Sequence, residues 1–290
     1  MVGCIQCESA PAGRKVTQLN KIGFSTIGCP TYDVDQVIEL AVKNGFQGVE
    51  IRHLRGEVDL PTLEELAPSA IAETKKRFDD AGVTVVGIDS SVRFTSLDEG
   101  ERAAQYESLR ANCAIAEGLG ASYVRVFGGP FPENQDRERT FDAIVEGLSQ
   151  AADETHERGV DSLIEMHDDF STSESIQSLW ARGVSKNLGV LWDTHHTYRH
   201  SESAEMTWAA VGERVKHVHV KDSRESDSSR GYELLLTGEG TIPIPSFLAV
   251  LKEADYQGWV NLEWEKAWHP QLDDAEIAFP HFIKYLETIS

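Results

Sequence analysis

Two kinds of segment alternate eight times along this chain: short apolar stretches and longer amphipathic ones. In the longer stretches apolar residues recur every three or four positions, as amphipathic helices require, over 34–44, 63–81, 97–119 and 137–158. Strands that alternate with helices predict a parallel sheet, and eight such units predict closure into a (β/α)8 TIM barrel rather than an open doubly wound sheet. We therefore expect an α/β fold built as a single barrel. The predicted strands are 22–28, 48–53, 83–91, 123–129, 162–167, 188–195, 215–222 and 259–266.

Glycine positions and chain length support this division. Several predicted helices end at a glycine, which can adopt the left-handed conformation that stops a helix. A barrel of this class takes about 250 residues, and the chain supplies 290 residues with 40% hydrophobic content. We expect residues 1–20 to be a flexible N-terminal leader and 21–290 to form the barrel. The helix-stopping glycines are Gly45, Gly82, Gly120 and Gly159.

The charge balance restricts the partners. Acidic residues outnumber basic ones by 48 to 27, so the formal net charge is -21. Nucleic-acid binding draws most of its affinity from Lys and Arg on phosphates, so we expect no DNA or RNA partner. The sequence has no apolar run of the roughly 18 residues that a membrane span requires, and no signal-peptide core near its start. We therefore expect a cytoplasmic protein without a membrane partner.

The four cysteines do not suggest a disulfide framework. Cys4 and Cys7 have the spacing of a metal or redox pair, but the sequence contains no second pair of this kind. They also lie in the polar leader, where a frayed terminus without chemical function is the alternative. We expect reduced thiols and no role for this pair.

The longest irregular connection, 223–245, lies between the seventh and eighth predicted strands. Loops that follow barrel strands form the active face, so this segment is either a lid over the site or a surface insertion. Its Gly238-Glu239-Gly240 precedes prolines rather than a helix, so a dinucleotide site is not expected. Its basic residues are only Arg224 and Arg230, which favours an unphosphorylated or keto sugar over a sugar phosphate as ligand.

Acidic and imidazole side chains stand at the ends of the fifth and sixth predicted strands. Glu165 and His167 share one parity of an apolar strand. A glutamate there is costly to bury alone, so it lies either on the surface or on a metal, and the abrupt strand end favours the metal. Asp193 and His196 have the D-x-x-H spacing that lets a carboxylate and an imidazole face one site, with His195 as the alternative to His196.

The seventh and eighth predicted strands carry further candidates. His217, His219 and Lys221 share the parity that faces the barrel interior, and His219 lies nearer the active face, which leaves His217 as an interior residue. Glu263 and Glu265 share the inward parity of the eighth strand. Either could ligate. Glu263 matches the depth of the glutamate on the fifth strand, so we expect it to be the ligand and Glu265 to support it or contact substrate.

These strand ends together predict one catalytic metal centre. A set of two glutamates, one aspartate and one histidine is rich in oxygen, which suits Mn, Mg or Co better than the sulfur and nitrogen sites of structural zinc. We expect one divalent ion, with Mn²⁺ favoured and Mg, Co or Zn as alternatives.

Aromatic and basic residues near other strand ends are candidates for the substrate pocket. Arg52, His53 and Arg125 follow the second and fourth predicted strands, where each is either a substrate contact or a salt-bridged residue of the rim. Trp264 has the parity that faces the helices. Trp268 is the better candidate for a pocket wall that stacks on a sugar or an aglycone.

The eight-unit layout and five motifs resemble the xylose isomerase-like TIM barrel proteins called sugar phosphate isomerases/epimerases, over roughly residues 21–290. The motifs are GVEIR at 48–52, IEMHDD at 164–169, WDTHH at 192–196, HVHVKD at 217–222 and GWVNLEWE at 258–265. The resemblance implies that the metal ligands are Glu165, Asp193, His219 and Glu263, with His167 and His196 near the substrate. In the ketose 3-epimerase branch the two glutamate ligands also act as acid and base, a role implied for Glu165 and Glu263.

The chemistry of such a centre is proton transfer next to a carbonyl. A divalent cation that holds a sugar's carbonyl and neighbouring hydroxyl oxygens acidifies the adjacent C–H and stabilises the enediolate that follows. Two carboxylates on opposite faces can then remove and return a proton, which gives isomerisation or epimerisation of a carbohydrate. The same enediolate can expel a β-substituent. A dehydratase, or a lyase acting on 3-keto-glycosides, is therefore the alternative.

Two further functional classes and one structural question remain open at this level. A DNA-repair enzyme of the endonuclease IV type needs extra histidines, and the predicted strands 83–91 and 123–129 contain none. A non-catalytic barrel is disfavoured because all four expected metal ligands are present. The apolar residues Phe279, Phe282 and Ile283, expected to be exposed on a late helix, could form a homo-oligomer interface or cap the barrel.

Overall fold

The computed structural model describes residues 21–289. The leader, with Cys4 and Cys7, lies outside the described residues, as does Ser290. Among the described residues, Cys29 and Cys113 are buried free thiols. Within the described range no helix is long and apolar enough to cross a membrane.

Parallel strands close into a barrel, as the alternating pattern predicts. The order around the barrel is β1-β10-β7-β6-β5-β4-β3-β2, and β1 pairs with both β2 and β10 to close the ring. The strands β8 and β9 form a separate antiparallel hairpin. The strands are β1 (Ile22–Ser25), β2 (Gly48–Ile51), β3 (Thr84–Arg93), β4 (Tyr123–Phe127), β5 (Asp161–Glu165), β6 (Gly189–Asp193), β7 (Val215–Val220), β8 (Asp222–Glu225), β9 (Tyr232–Leu235) and β10 (Trp259–Leu262).

Helices surround the barrel and begin and end where local chemistry dictates. The first begins at a capping box between Asp33 and Gln36 and ends at Gly45, which has a φ of 76°. Gly120 ends the third with a φ of 74°. The predicted helix stops at these two glycines are thus confirmed. The helices are α1 (Val34–Asn44), α2 (Ile71–Asp80), α3 (Glu99–Leu119), α4 (Arg137–Glu157), α5 (Ser173–Ala181), α6 (Thr194–Arg199), α7 (Ala204–Val211), α8 (Ile244–Glu253) and α9 (Ala275–Ile289).

Several predicted boundaries are wrong, mainly at the carboxyl ends of strands. Thr26–Gly28 form a 3-10 turn rather than the end of β1. The sixth predicted strand includes His195, but helix α6 begins at Thr194, because the Asp193 carboxylate accepts the backbone N–H groups of the first turn. A 3-10 turn at Glu64–Leu66 replaces the first part of the predicted helix 63–81, and α2 begins only at Ile71. His167 and Glu263 lie just beyond β5 and β10 rather than inside the predicted strands.

The predicted irregular loop 223–245 contains the β8–β9 hairpin. Its return path is fixed by Asp222, whose carboxylate accepts the backbone N–H groups of Gly238, Gly240 and Ile242 at 2.8, 3.0 and 3.2 Å. A single carboxylate therefore holds the far end of the segment against the barrel.

Aromatic residues of α9 pack onto the barrel wall, not into solvent. Phe279 and Phe282 are fully buried, with ring centroids 4.7 Å from Phe24 and 6.2 Å from Phe46 respectively. Ile283 is partly buried against the same core. The expectation that these side chains are exposed is wrong, because α9 turns its apolar face onto β1 and residue 46.

Candidate metal centre

Four side chains from consecutive barrel positions meet at one end of the barrel. Glu165 is the last residue of β5, Asp193 the last of β6, His219 lies near the end of β7, and Glu263 directly follows β10. One donor atom from each lies within 4.8 Å of the donors of the other three. Carboxyl ends of parallel strands share one edge, so residues far apart in sequence come together there. These four residues are the set that the family resemblance implies.

The imidazole of His219 is oriented toward this cluster. Its Nδ1 is buried without a hydrogen-bond partner and lies 3.8 Å from Glu165 Oε1 and 3.4 Å from Glu263 Oε1. A buried ring nitrogen without a partner is costly, and a divalent cation would coordinate it together with the carboxylates. Burial alone lowers the pKa of His219, but the charges of Glu50 and Glu263 raise it well above its usual value. A metal that binds there must therefore displace a proton.

The two carboxylate oxygens of Asp193 make different contacts. Oδ1 accepts the backbone N–H groups of His195 and His196 at 2.9 and 3.2 Å, which caps α6 and leaves Oδ2 facing the cluster. The turn that follows places the two histidines differently. His196 Nε2 lies 3.7 Å from Asp193 Oδ2, whereas His195 Nε2 bonds Ser223 Oγ at 2.8 Å. Donors of both histidines also come within 4.8 Å of an Asp193 oxygen, but the ring of His195 is already engaged.

Lys221 places a buried ammonium beside the cluster. Its Nζ lies 2.8 Å from Asp193 Oδ2, 2.5 Å from Glu263 Oε2 and 2.8 Å from Glu265 Oε1. Burial alone lowers the pKa of Lys221, but Asp193 and Glu263 raise it well above its usual value, so the group is charged. Glu265 thus pairs with Lys221 rather than facing His219, which supports Glu263 as the ligand.

The pKa values of the two glutamates of the cluster are shifted in opposite directions. Arg125 is buried and donates to Glu165 Oε2, so although burial raises the pKa of Glu165, this guanidinium holds it well below the usual range. Burial raises the pKa of Glu263 to about 7, against the opposing charges of Lys221 and His219. Carboxyls whose pKa values are driven apart are suited to separate roles in proton transfer. Arg125, expected to be either a substrate contact or a salt-bridged residue of the rim, is salt-bridged to the candidate ligand Glu165 but is buried rather than on the rim.

The remaining predicted pocket residues lie around the cluster. The rings of His167 and His196 pack 4.5 Å apart. Arg52 is buried and donates to Asp89 O at 3.0 Å and to Ser91 Oγ at 2.8 Å. The rings of His53 and Trp268 pack edge to face with centroids 5.1 Å apart, and Trp268 is 49% exposed. Trp264 is buried and donates to Asp273 O, so it packs away from the centre.

Sequence reasoning missed two buried carboxylates of the first half of the barrel. Glu50 on β2 lies 2.9 Å from His219 Nε2, and Asp89 on β3 is buried without a hydrogen-bond partner on either oxygen. The cost of burying a charge on an apolar strand, which singled out Glu165, applies equally to Glu50 in Gly-Val-Glu-Ile. That signal was present in the sequence. A third group of donors, from Glu50, His217 and His219, also lies within 4.8 Å.

Comparison with known proteins places the chain in a family. The model of the xylose isomerase-like TIM barrel family matches residues 38–285. The chain belongs to the xylose isomerase-like TIM barrel family. The resemblance drawn from the motifs and the barrel fold are both confirmed.

Within this family the chain is similar to enzymes of two kinds. It is 24% identical to the L-ribulose 3-epimerase of a Methylomonas species over 69% of this chain and 75% of the relative. It is also 24% identical to the inosose dehydratase of Geobacillus kaustophilus over 86% of this chain and 83% of the relative. These relatives support an enzymatic activity for the chain and leave epimerase and dehydratase chemistry both open.

Solved structures of xylose isomerase-like barrels share the fold. The IolI protein with a bound zinc atom has a TM-score of 0.77 at 19% identity, covering 93% of this chain and 98% of that one. A D-tagatose 3-epimerase-like protein has a TM-score of 0.72 at 23% identity, with the same coverage of 93% and 98%. These likenesses show that the chain has the same barrel fold as both structures.

A cleft opens beside the centre of this xylose isomerase-like barrel. It has a volume of about 630 Å³ and lies between the β8–β9 hairpin and the segment that follows β10. His269 lines it, and its Nε2 lies 3.5 Å from Glu265 Oε2 and 2.6 Å from Arg230 Nη1. Because Glu265 also contacts Lys221, these two side chains stand between His269 at the cleft wall and the candidate ligands Asp193 and Glu263.

Proposed function

We propose that this chain is a divalent-metal-dependent epimerase or isomerase that acts on an unphosphorylated carbohydrate by proton transfer next to a carbonyl. The main observation that supports this proposal is that three carboxylates converge on the buried His219 Nδ1, which has no hydrogen-bond partner. In this proposal Glu165, Asp193, His219 and Glu263 hold the ion. Mn²⁺ is our first choice because the donor set is rich in oxygen, with Mg, Co and Zn as alternatives.

The side chains around the cluster divide the work of the reaction. When bound, the ion polarises the substrate carbonyl and lowers the pKa of the adjacent C–H. Glu165, whose carboxylate is held ionised and fixed in orientation by Arg125, takes the proton from one face of the substrate. Glu263 enters the step as the carboxylic acid and returns a proton on the other face, so the two glutamates exchange protonation states in each turnover.

The pocket residues recognise the sugar in this proposal. His167, His196 and Lys221 present hydrogen-bonding groups beside the cluster. His53 and Trp268 form an aromatic edge at its mouth, on which an apolar face of a sugar can stack. Arg52 supports this edge, since its guanidinium lies 6.0 Å from the Trp268 ring centre.

A dehydratase or lyase is the second candidate function. The same C–H deprotonation would be followed by rupture of a C–O bond, and the leaving oxygen would take up a proton. The charged Lys221, whose Nζ contacts Asp193 and Glu263 of the cluster, favours this candidate as a proton donor to that oxygen. The similarity to inosose dehydratases points in the same direction.

A deuterium-exchange experiment tests the proposal. Ketoses and 3-keto-glycosides are incubated with the Mn²⁺-loaded protein in D2O, and both exchange and products are followed by NMR. Glu165→Gln and Glu263→Gln should abolish exchange, whereas Glu64→Gln, an exposed control, should not change it. Exchange that persists in both site variants would remove these residues from the acid and base roles. The product spectrum separates epimerase, isomerase and lyase.

A further inference from the structure

Glu50, deep in the barrel, contacts the face of His219 that points away from the candidate metal centre. We infer that Glu50 is a positioning residue for the metal: it orients the His219 imidazole so that Nδ1 presents its lone pair to the ion. This inference rests on the proposed function, since it requires that the four-residue cluster binds a metal. Glu50 lies on β2, on the opposite half of the barrel from the proposed ligands.

The geometry assigns one task to each nitrogen of the His219 ring. Nε2 lies 2.9 Å from both Oε1 and Oε2 of Glu50. Nδ1 faces the carboxylates of Glu165 and Glu263 and has no hydrogen-bond partner. A neutral imidazole carries one N–H, so donation from Nε2 to Glu50 leaves the Nδ1 lone pair free for coordination. A carboxylate behind a ligating histidine both fixes the ring and makes it a stronger ligand.

Glu50 is itself held by groups from three other strands. Tyr123 donates its hydroxyl to Oε2, Asn261 Nδ2 lies 3.3 Å from the same oxygen, and His217 Nε2 lies 2.8 Å from it. Gly87 makes this arrangement possible, because a Cβ at that position would fall 2.1 Å from Cζ of the Tyr123 ring. All these side chains are buried.

Glu50 and its buried partners Tyr123, His217 and Asn261 form a polar layer that lowers the stability of the barrel unless it serves a function. Barrel interiors are usually filled by branched apolar side chains, and a buried carboxylate without a purpose would be replaced at a gain in stability. One alternative is a purely structural ion pair. Another is that Glu50, His217 and His219 themselves hold an ion, since their donors also lie within 4.8 Å. Only the positioning role predicts that a change at Glu50 weakens metal binding at the four-residue cluster while one ion per chain still binds there.

Metal affinity tests the inference without relying on turnover. Protein stripped with chelator is titrated calorimetrically with Mn²⁺ for the wild type, Glu50→Gln and Glu50→Leu. Gln keeps an acceptor but loses the charge, so its Kd should rise about 10-fold, and that of the Leu variant about 100-fold. Tyr123→Phe, which removes only one donor to Glu50, should raise the Kd less and keeps the test open if the Leu variant fails to fold. Ser162→Ala, a buried change on β5, is the control and should leave the Kd unchanged.

A second readout follows the proton on the ring. With 15N-labelled histidine and bound Zn²⁺, wild-type His219 should show a slowly exchanging Nε2–H that is lost in Glu50→Leu. Variants that lower the Tm but bind Mn²⁺ with the wild-type Kd would overturn the inference in favour of a structural ion pair. Two bound ions in the wild type, one of them lost with Glu50, would overturn it in favour of a ligand role. A wild type that binds no divalent ion would instead overturn the proposed metal centre.

Discussion

The two halves of the barrel share one architecture but carry different chemistry. The strands β5, β6, β7 and β10 supply the four candidate ligands, one from the end of each. The strands β2 and β4 supply charged side chains that are also buried and contact the candidate ligands. Arg125 donates to Glu165, and Glu50 bonds His219. One half therefore presents the candidate donor atoms together with Lys221, and the other supplies the partners of Glu165 and His219.

This difference explains why a site with so many buried charges can exist. Each ligand has a partner on a neighbouring or opposite strand: Arg125 for Glu165, Lys221 for Asp193 and Glu263, Glu50 for His219. A buried charge is tolerated when it is paired and hydrogen-bonded. Changes in the ligand half should therefore act first on metal binding, and changes in the supporting half on stability as well.

The largest effect is expected from His219→Ala in the ligand half. It removes the only imidazole donor of the four-residue cluster. The affinity for Mn²⁺ should therefore fall by more than the roughly 100-fold expected when a residue that only supports a ligand, such as Glu50, is replaced. Titration calorimetry on chelator-treated protein measures it, with the exposed His200→Ala as a control. An unchanged Kd would mean that the metal, if bound, lies elsewhere.

Arg125→Met tests the supporting half. It leaves the buried Glu165 carboxylate without its cation, which should destabilise metal-free protein by about 3 to 5 kcal/mol. Denaturant unfolding monitored by circular dichroism gives the number. The double variant Arg125→Met with Glu165→Gln should recover much of the loss, because no unpaired charge remains. If single and double variants are equally unstable, the pairing is not what stabilises this half.

Trp268→Ala should have a smaller effect and only on substrate. Loss of an aromatic stacking face is worth about 0.5 to 1.5 kcal/mol, so KM should rise about 2- to 10-fold while Mn²⁺ affinity stays constant. Ile277→Ala, an exposed apolar residue on α9, serves as the control. A KM equal to the wild-type value would remove Trp268 from the pocket.

A separate prediction concerns the pH dependence of stability. Burial, with the charge of Lys221, lowers the pKa of His195 to about 3, so the folded chain keeps this ring neutral while the unfolded chain protonates it near 6.5. Its contribution to stability is complete above about pH 6.5 and is lost progressively as the pH falls toward 3. Metal-free His195→Gln should therefore lose less stability than wild type between about pH 7.5 and 5. Equal slopes for the two proteins would contradict the assignment.

The barrel fold and the meeting of the four candidate ligands at one end of the barrel could be predicted from the sequence. Alternation of strands with helices predicts the closed barrel, and the strand-end pairs around Glu165 and Glu263 come together as their parity indicates. The predicted ends of strands are wrong where a side-chain contact, rather than the intrinsic propensity of the residues, sets the end of the strand. Asp193 caps a helix that begins one residue later, so His195 turns toward Ser223.

The supporting half was much harder to predict. Arg125 and Glu50 act through contacts with residues 40 and 169 positions away in sequence, and no local pattern encodes such a pairing. Burial cost alone marks Glu50 as unusual, but its partner becomes visible only when β2 and β7 are placed across the barrel. The burial of Phe279 and Phe282 likewise depends on which face α9 turns to β1.

The most direct test of the account is the metal content of the protein. Chelator-treated protein is loaded with Mn²⁺, dialysed and analysed by inductively coupled plasma mass spectrometry. A variant that combines Asp193→Asn and His219→Ala is treated in the same way. The account predicts close to one ion per chain in the wild type and close to none in the double variant. A wild-type protein that retains no Mn, Mg, Co or Zn, or a double variant that retains as much as the wild type, would contradict it.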